Sequence, residues 1–255
     1  RRFVSVGLVC PVSVGGGLLY AHRGGGPVMP FYPGTPLMSS PAADTGGFNT
    51  LVGRTTGTLL SSAAIETTAV GYGAGGSGLR GGAAPGGTGM TGPENTLIGW
   101  FSGTQMTSGG FNSALGVNTM GAETTGNNLV AVGTDAMRNS VGLVSCVAVG
   151  ANALRNGAAT ITSIAIGQNT LIGDETSPST SVGSDLIAIG YTAMASATRT
   201  TLSSSIAIGT RAGNALRTGS AAVFVGPEAG KVATVAGNLV GIGFQALGAA
   251  TTATD

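Results

Sequence analysis

Aliphatic residues recur along this chain on two scales, a short alternation nested inside a long period. SIAIG stands at 163–167 and again at 205–209, and LIAIG at 186–190. Aligned on the Gly that closes each pentapeptide, the motif recurs at Gly53, Gly71, Gly99, Gly116, Gly133, Gly150, Gly167, Gly190, Gly209, Gly226 and Gly243. The successive spacings are 18, 28, 17, 17, 17, 17, 23, 19, 17 and 17. A fixed 17-residue unit that accepts insertions accounts for all of them. NTLIG at 95–99 recurs at 169–173, 17 residues before Gly190, so a six-residue slip of register near Gly167 is a second possible alignment.

The columns of this alignment predict strands. One residue before the Gly every repeat is aliphatic, from Val52 and Val70 to Ile242. Three before it stand Val130, Val147, Ile164, Ile187, Ile206, Val223 and Val240. Between these columns lies Ala in seven repeats, at Ala69, Ala114, Ala131, Ala148, Ala165, Ala188 and Ala207. Side chains alternate faces along a strand, so one face is bulky and β-branched and the other small. A run of this length bounded by Gly reads as a strand with neither face in water. Three residues after the Gly all repeats are small, and the next position is Gly, Met or Leu.

Seventeen residues are too few for a βαβ crossover. They suit one coil of a β-solenoid or β-roll, stacked on the last at about 4.8 Å, so eleven coils make a rod about 50 Å long. The recurring Gly is expected to turn the chain where a Cβ finds no room. A coil this thin leaves the alanine face needing a close partner. The seven alanines are therefore expected to meet sister chains along the axis of a parallel homotrimer.

Three regions follow. Residues 1–47 form an N-terminal arm: RRFVSVGLV reads as a strand, followed by Pro27, Pro30, Pro33, Pro36 and Pro41 in an extended segment. Residues 48–250 carry the repeats, interrupted at 71–92 by a stretch with 11 Gly, read as a flexible loop or, alternatively, a packed collar or ligand tip. Residues 251–255 are a C-terminal tail. The repeats run almost to that tail, and a bare solenoid end exposes strand edges. The expectation is head-to-tail stacking, with residues 1–10 completing a neighbour's sheet.

Composition supports a repeat scaffold over an ordinary enzyme. Of 255 residues 47 are Gly, only 8% are charged and 5% aromatic. Typical domains carry about 25% charged residues. With 42% hydrophobic residues, simple disorder is excluded, and without Gly at every third place so is collagen. The 11 basic and 10 acidic residues are scattered, with no basic stripe for nucleic acid. So few charges suggest a surface covered by copies of the same chain. No apolar run is long enough to span a bilayer as a helix. The first 21 residues have the outline of a signal peptide, but Pro11 and Gly15, Gly16 and Gly17 break its apolar region. Cys10 and Cys146 form no disulfide framework, and Cys146 falls where other repeats place Asn, Ser or Leu.

The motifs NTLIG, AVGTDAM, AIGYTAM and AIGTRAG resemble the NTAxGxxAL repeat of phage tail fibres. They are also similar to the left-handed β-roll heads of trimeric autotransporter adhesins of the YadA type. SIAIGTRAGNA at 205–215 and LIAIGYTAMASA at 186–197 carry the pattern most fully. The likeness covers about residues 48–250 and implies a homotrimeric extracellular or virion fibre. No coiled-coil stalk or anchor of the adhesin kind follows within this sequence.

Chemistry is sparse. The single His22 lies beside Arg23 in the arm and reads as a solvent-facing side chain. Cys and His lack metal-ligand spacing. GYGAGGSG at 71–78 is followed by no Lys-Ser/Thr pair, as a phosphate loop requires. Asp174 and Glu175 are adjacent in an insertion, while Asp135 and Glu228 share a column five coils or more apart; neither pair reads as a glycosidase dyad. Thr is too irregular for an ice-binding array. No cofactor or metal is expected. Binding is more plausible than catalysis: Tyr72, Trp100, Tyr191 and Phe244 follow motif glycines, and with Phe101 they are candidates to stack on a cell-surface glycan or receptor, or else to cover a corner of the rod. The expected function is a non-enzymatic fibre of a phage tail or similar appendage. The alternatives are a bacterial adhesin head, a self-assembling filament and, in another class, a polysaccharide-degrading tailspike.

Overall fold

The structure, a computed structural model, describes residues 12–14, 17–19, 49–53, 56, 66–75, 90–156, 162–171, 183–195, 201–248 and 252–253. Regular structure among them is all β and winds as a parallel β-solenoid. Eleven three-residue strands share one sheet. They run from Thr50–Val52, Thr68–Val70, Thr96–Ile98 and Ser113–Leu115 through Val130–Val132, Val147–Val149, Ile164–Ile166 and Ile187–Ile189 to Ile206–Ile208, Val223–Val225 and Val240–Ile242. Each pairs with the next in motif register; Ala148, for example, sits opposite Ala165. Ile164–Ile166 pairs directly with Ile187–Ile189, so the six-residue slip does not occur in this sheet.

A second parallel ladder, Thr201–Ser203, Thr218–Ser220, Val235–Gly237 and Thr252–Ala253, forms on the return path of the coil. Val12–Val14 and Gly17–Leu19 pair antiparallel in a separate two-stranded sheet. The strand expected over residues 1–9 lies outside the described residues, as do most of the Pro-rich arm and residues 76–89 of the Gly-rich insertion.

The corner after each strand is built from left-handed backbone. Two residues past the motif Gly, Asn118, Asp135, Asn152 and Asn169 have φ of 53–57°; four past it, Met120, Met137, Leu154 and Leu171 have φ of 49–51°. Asn and Asp tolerate this region, whereas for Met and Leu it costs energy. The compensation is axial. Asp135 N–H donates back to Val117 O at 2.9 Å, and Met137 N–H donates forward to Ala153 O at 2.9 Å. Alternating handedness thus aims successive amides at the coils on either side. The motif Gly is fixed by the same stacking: at Gly150, φ is +129° and a Cβ would stand 2.5 Å from Gly167 O.

The alanine column corrects an expectation drawn from the sequence. Ala69, Ala114, Ala131, Ala148, Ala165, Ala188 and Ala207 are at most 2% exposed within one chain, so they cannot line an axis between chains. They face the inside of the coil. The reason is volume. Where the strand centre is Ala131, Ala148 or Ala188, the corner opposite supplies a buried Met137, Leu154 or Met194. Where the centre is Leu97 or Phe224, the corner is Gly103 or Gly230, and a Cβ there would come within 2.8 Å of Leu97 and 2.5 Å of Phe224. In these coils a small centre meets a large corner, or the reverse, which keeps the interior filled. Ala207 and Gly213 are both small, and there Phe224 and Met194 of the neighbouring coils lie against the space. The bulky Val and Ile columns point the other way, out of the coil, half-buried or exposed.

A polar column also runs inside. Asn112 takes the Leu129 N–H on Oδ1 at 3.0 Å and donates Nδ2 to Gly126 O at 2.8 Å; Asn95 takes the Asn112 N–H at 3.1 Å. Further along, the Ser163 and Ser205 hydroxyls accept from Leu186 N–H and Ala222 N–H. Cys146 occupies this same column, buried, donating to Val144 O at 3.3 Å, with burial pushing its thiol pKa up.

Candidate ligand-binding corner and outward face

The residue after the motif Gly leaves the sheet at a corner of the coil and points outward. In two adjacent coils this residue is aromatic. Tyr72 and Trp100 are 37% and 53% exposed, and beneath them Phe101 is 7% exposed. The three rings touch. Tyr72 meets Trp100 edge-on at 6.5 Å between centroids and Phe101 edge-on at 5.4 Å; Trp100 stacks on Phe101 at 5.6 Å with 27° between planes. The backbone holds the set: Phe101 N–H donates to Tyr72 O at 2.9 Å, and Asn118 N–H to Trp100 O at 2.8 Å.

Phe101 occupies the left-handed corner position, with φ of 56°, where other coils carry Gly, Asn, Asp, Thr, Arg, Glu or Gln. A bulky side chain there costs about 1–3 kcal/mol. Tyr191 and Phe244 fall in the Trp100 row and are exposed, but Tyr191 is five strand steps from Trp100, about 24 Å. The five aromatic candidates are therefore one cluster of three and two separate side chains.

The other outward feature is the sheet face. The column before the Gly is aliphatic throughout, and from Val130 onward the column three before it is aliphatic too. Leu115, Val130, Ile166, Ile208, Val240 and Ile242 are exposed. In the first four strands the second column is instead Thr50, Thr68, Thr96 and Ser113.

Charged groups are dispersed. Asp135 pairs with Arg138 at 3.3 Å in its own corner. Glu228 takes Gln245, Lys231 and Arg211 at 2.9, 3.0 and 3.2 Å; these hydrogen bonds, Gln245 and Lys231 foremost, pull its carboxyl down to about 2. Asp135 and Glu228 thus serve separate local pairs. His22, Cys10, Asp174 and Glu175 lie outside the described residues. Among the described residues no group of three or more His, Cys, Asp or Glu side chains could hold a metal ion, and no helix is long and apolar enough to cross a membrane.

Two features escaped the sequence reading. Phe111 is half exposed with φ of 60°, in a row that is polar elsewhere apart from Phe48 and Ala221; the FN pair shared by 48–49 and 111–112 was the available signal. Glu123 is fully buried, in a row shared with Met106, Ser140, Leu216 and Ala233. Its Oε1 accepts from the N–H groups of Thr124, Thr125, Gly126 and Gly142 at 2.8–3.2 Å, and its Oε2 from Leu143 N–H at 3.4 Å. No family model, curated protein or solved structure matches the chain.

Proposed function

We propose that this chain is a structural and attachment protein: a non-enzymatic β-roll of eleven coils that assembles as a parallel homotrimer into an extracellular or virion fibre. The observation that carries this reading is the outward Val and Ile ladder. From Val130–Val132 to Val240–Ile242 seven strands present both outward columns as aliphatic. At strand spacing this strip measures about 30 Å by 10 Å, or about 300 Å². Apolar patches of that size on soluble proteins are often interaction sites. The strip is continuous through seven paired strands, uncharged and identical in every copy. Three parallel chains that turn it inward bury all three strips at one axis, whereas the alanines stay inside their own coils.

The resemblance to phage tail-fibre and trimeric adhesin repeats points the same way. An adhesin head or a self-assembling filament uses the same assembly, and head-to-tail stacking remains part of the proposal. Sedimentation of the full chain tests it, with a trimer expected. Val147→Ser with Ile164→Ser should weaken association at least tenfold while changing the fold of each chain little, since both side chains are half-exposed in the single chain. A wild-type monomer at micromolar concentration overturns it.

A further inference from the structure

We infer that Tyr72, Trp100 and Phe101 form a binding site for one neutral pyranose ring, with the open face of Trp100 as its floor. The inference rests on the attachment reading above and names the chemistry of its ligand.

Geometry limits the choice of ligand. Centroid separations of 5.4–6.5 Å are those of rings in mutual contact. No space remains between facing rings for a caged cation. One face of Trp100 is stacked on Phe101, and the residue as a whole is 53% exposed. Tyr72 stands edge-on as a wall carrying a hydroxyl. Asn118 occupies the Phe101 position one coil further on, and its backbone N–H already donates to Trp100 O at 2.8 Å, which leaves its side-chain amide as the polar group of that row. A flat, apolar floor with a polar rim fits the C–H face of a sugar ring.

Charge narrows it further. From Thr67 to Gly75, and between Glu94 and Glu123, the sequence holds no charged residue. The nearest charged residues in these coils, Glu66 and Glu94, stand six residues before Tyr72 and Trp100, at the other ends of the strands, so the corner itself offers no charge for an acidic or a cationic ligand. The cluster also sits apart from the assembly strip. The nearer outward column, Val70, Ile98 and Leu115, is aliphatic as in the strip, but the farther one reads Thr68, Thr96 and Ser113, and the row containing Trp100 continues as Val117, Thr134, Ala151 and Gln168. A seam between copies needs a row that repeats; this row does not. Phe101 takes its left-handed position, with φ of 56°, through the same axial hydrogen bond as the other corners, so the fold presents this aromatic in a row otherwise polar or Gly.

The chain has a single Trp, so tryptophan emission reports on Trp100 alone. The experiment uses the full chain in its native assembly, with its sedimentation measured in parallel. Methyl glycosides of glucose, galactose and mannose, N-acetylglucosamine, and glucuronate as an acidic control are titrated against Trp emission and saturation-transfer NMR. Acrylamide is expected to quench Trp100 in the assembled protein. At least one neutral pyranose should shift its emission and receive saturation along one C–H face. Trp100→Ala should weaken that signal about tenfold, Trp100→Phe should retain part of it, and circular dichroism should show both variants folded. Two results overturn the inference whatever the oligomeric state: Trp100 shielded from acrylamide, which would place it under another copy or segment, or no neutral sugar giving a Trp100-dependent signal. A preference for glucuronate overturns it as well. A monomer that still binds sugar would refute the trimer and leave the site standing.

Discussion

The first four strands of the long sheet and the seven that follow share one backbone but differ in how they are held together. In the first part the inner column is Asn95 and Asn112, whose amides clamp neighbouring coils through the Asn112 and Leu129 N–H groups. The outward face there is half Thr and Ser, and the corner carries Tyr72 and Trp100. From Leu129 onward the inner column turns to Leu, Ser, Cys and Ala, the corner is Met or Leu except at Gly213 and Gly230, and the outward face becomes wholly aliphatic. A 17-residue coil therefore fixes the path of the chain and leaves the means of cohesion open. An Asn column inside goes with a half-polar outside, and a mainly apolar interior, in which Ser163 and Ser205 still bond neighbouring coils, goes with an aliphatic outside. On the reading proposed above, the apolar part assembles and the polar part meets ligand.

The largest effect should ignore this division. The motif Gly meets the next coil's carbonyl in both parts: a Cβ at Gly99 would lie 2.0 Å from Gly116 O, and one at Gly150 2.5 Å from Gly167 O. Gly99→Val and Gly150→Val should each cost about 3–5 kcal/mol or break the stack. Urea unfolding followed by circular dichroism measures it. If one position tolerates Val while the other does not, the two parts do not share a backbone constraint and the comparison begins from a wrong premise.

A smaller pair of effects separates the parts. Asn112→Leu adds apolar volume but leaves the Leu129 N–H and Gly126 carbonyl without their partner. It should destabilise by about 2–4 kcal/mol. Leu129→Ala, one coil on in the same column, should cost about the same through a cavity instead. The informative outcome is the sign for Asn112→Leu. A neutral or stabilising result would mean that the amide column adds nothing beyond its volume.

These contrasts show what could be read from the chain beforehand. The period, the parallel stack and the strand positions follow from spacing alone, because a repeat must place like residues over like. The alternation correctly divided each strand into a bulky and a small face. Its polarity was misread, since the direction depends on what fills the coil. Ala148 and Leu154 lie six residues apart, and only the folded corner shows that the second fills the space left by the first. The clue was present in the Gly, Met and Leu column, where Gly stands with Leu97 and Phe224 and Met or Leu with five of the seven alanines, Gly75 and Gly213 being the exceptions beside Ala69 and Ala207. The aromatic candidates were legible as residues of one row. That Tyr72, Trp100 and Phe101 form a cluster while Tyr191 stands alone depends on which coils are adjacent, across the 28-residue interval between Gly71 and Gly99.

At the boundary between the two parts lies Glu123, and its titration gives the smallest effect. Two influences oppose each other there. Burial disfavours the carboxylate, whereas N–H groups from Thr125, Gly126, Gly142 and Leu143 favour it; burial is the larger and holds the pKa above the ordinary carboxylate value. Cys146 is the titratable neighbour, with its thiol pushed upward by burial and by the Glu123 charge, so it stays protonated through the acid range. The folded chain thus binds the Glu123 proton more tightly than the unfolded chain. Stability from this group is highest below the unfolded pKa, falls as pH rises towards the folded pKa, and is flat beyond it, with a slope of at most about 1.4 kcal/mol per pH unit. Glu123→Gln keeps an accepting oxygen and removes the titration. The stability of the wild type minus that of Glu123→Gln, measured by urea unfolding between pH 4 and 8, should therefore decline with pH. A difference that grows with pH would show that the converging N–H groups outweigh burial. The junction would then be an anion clamp of the first part's polar kind, and the change of cohesion would begin one coil later, at Leu143.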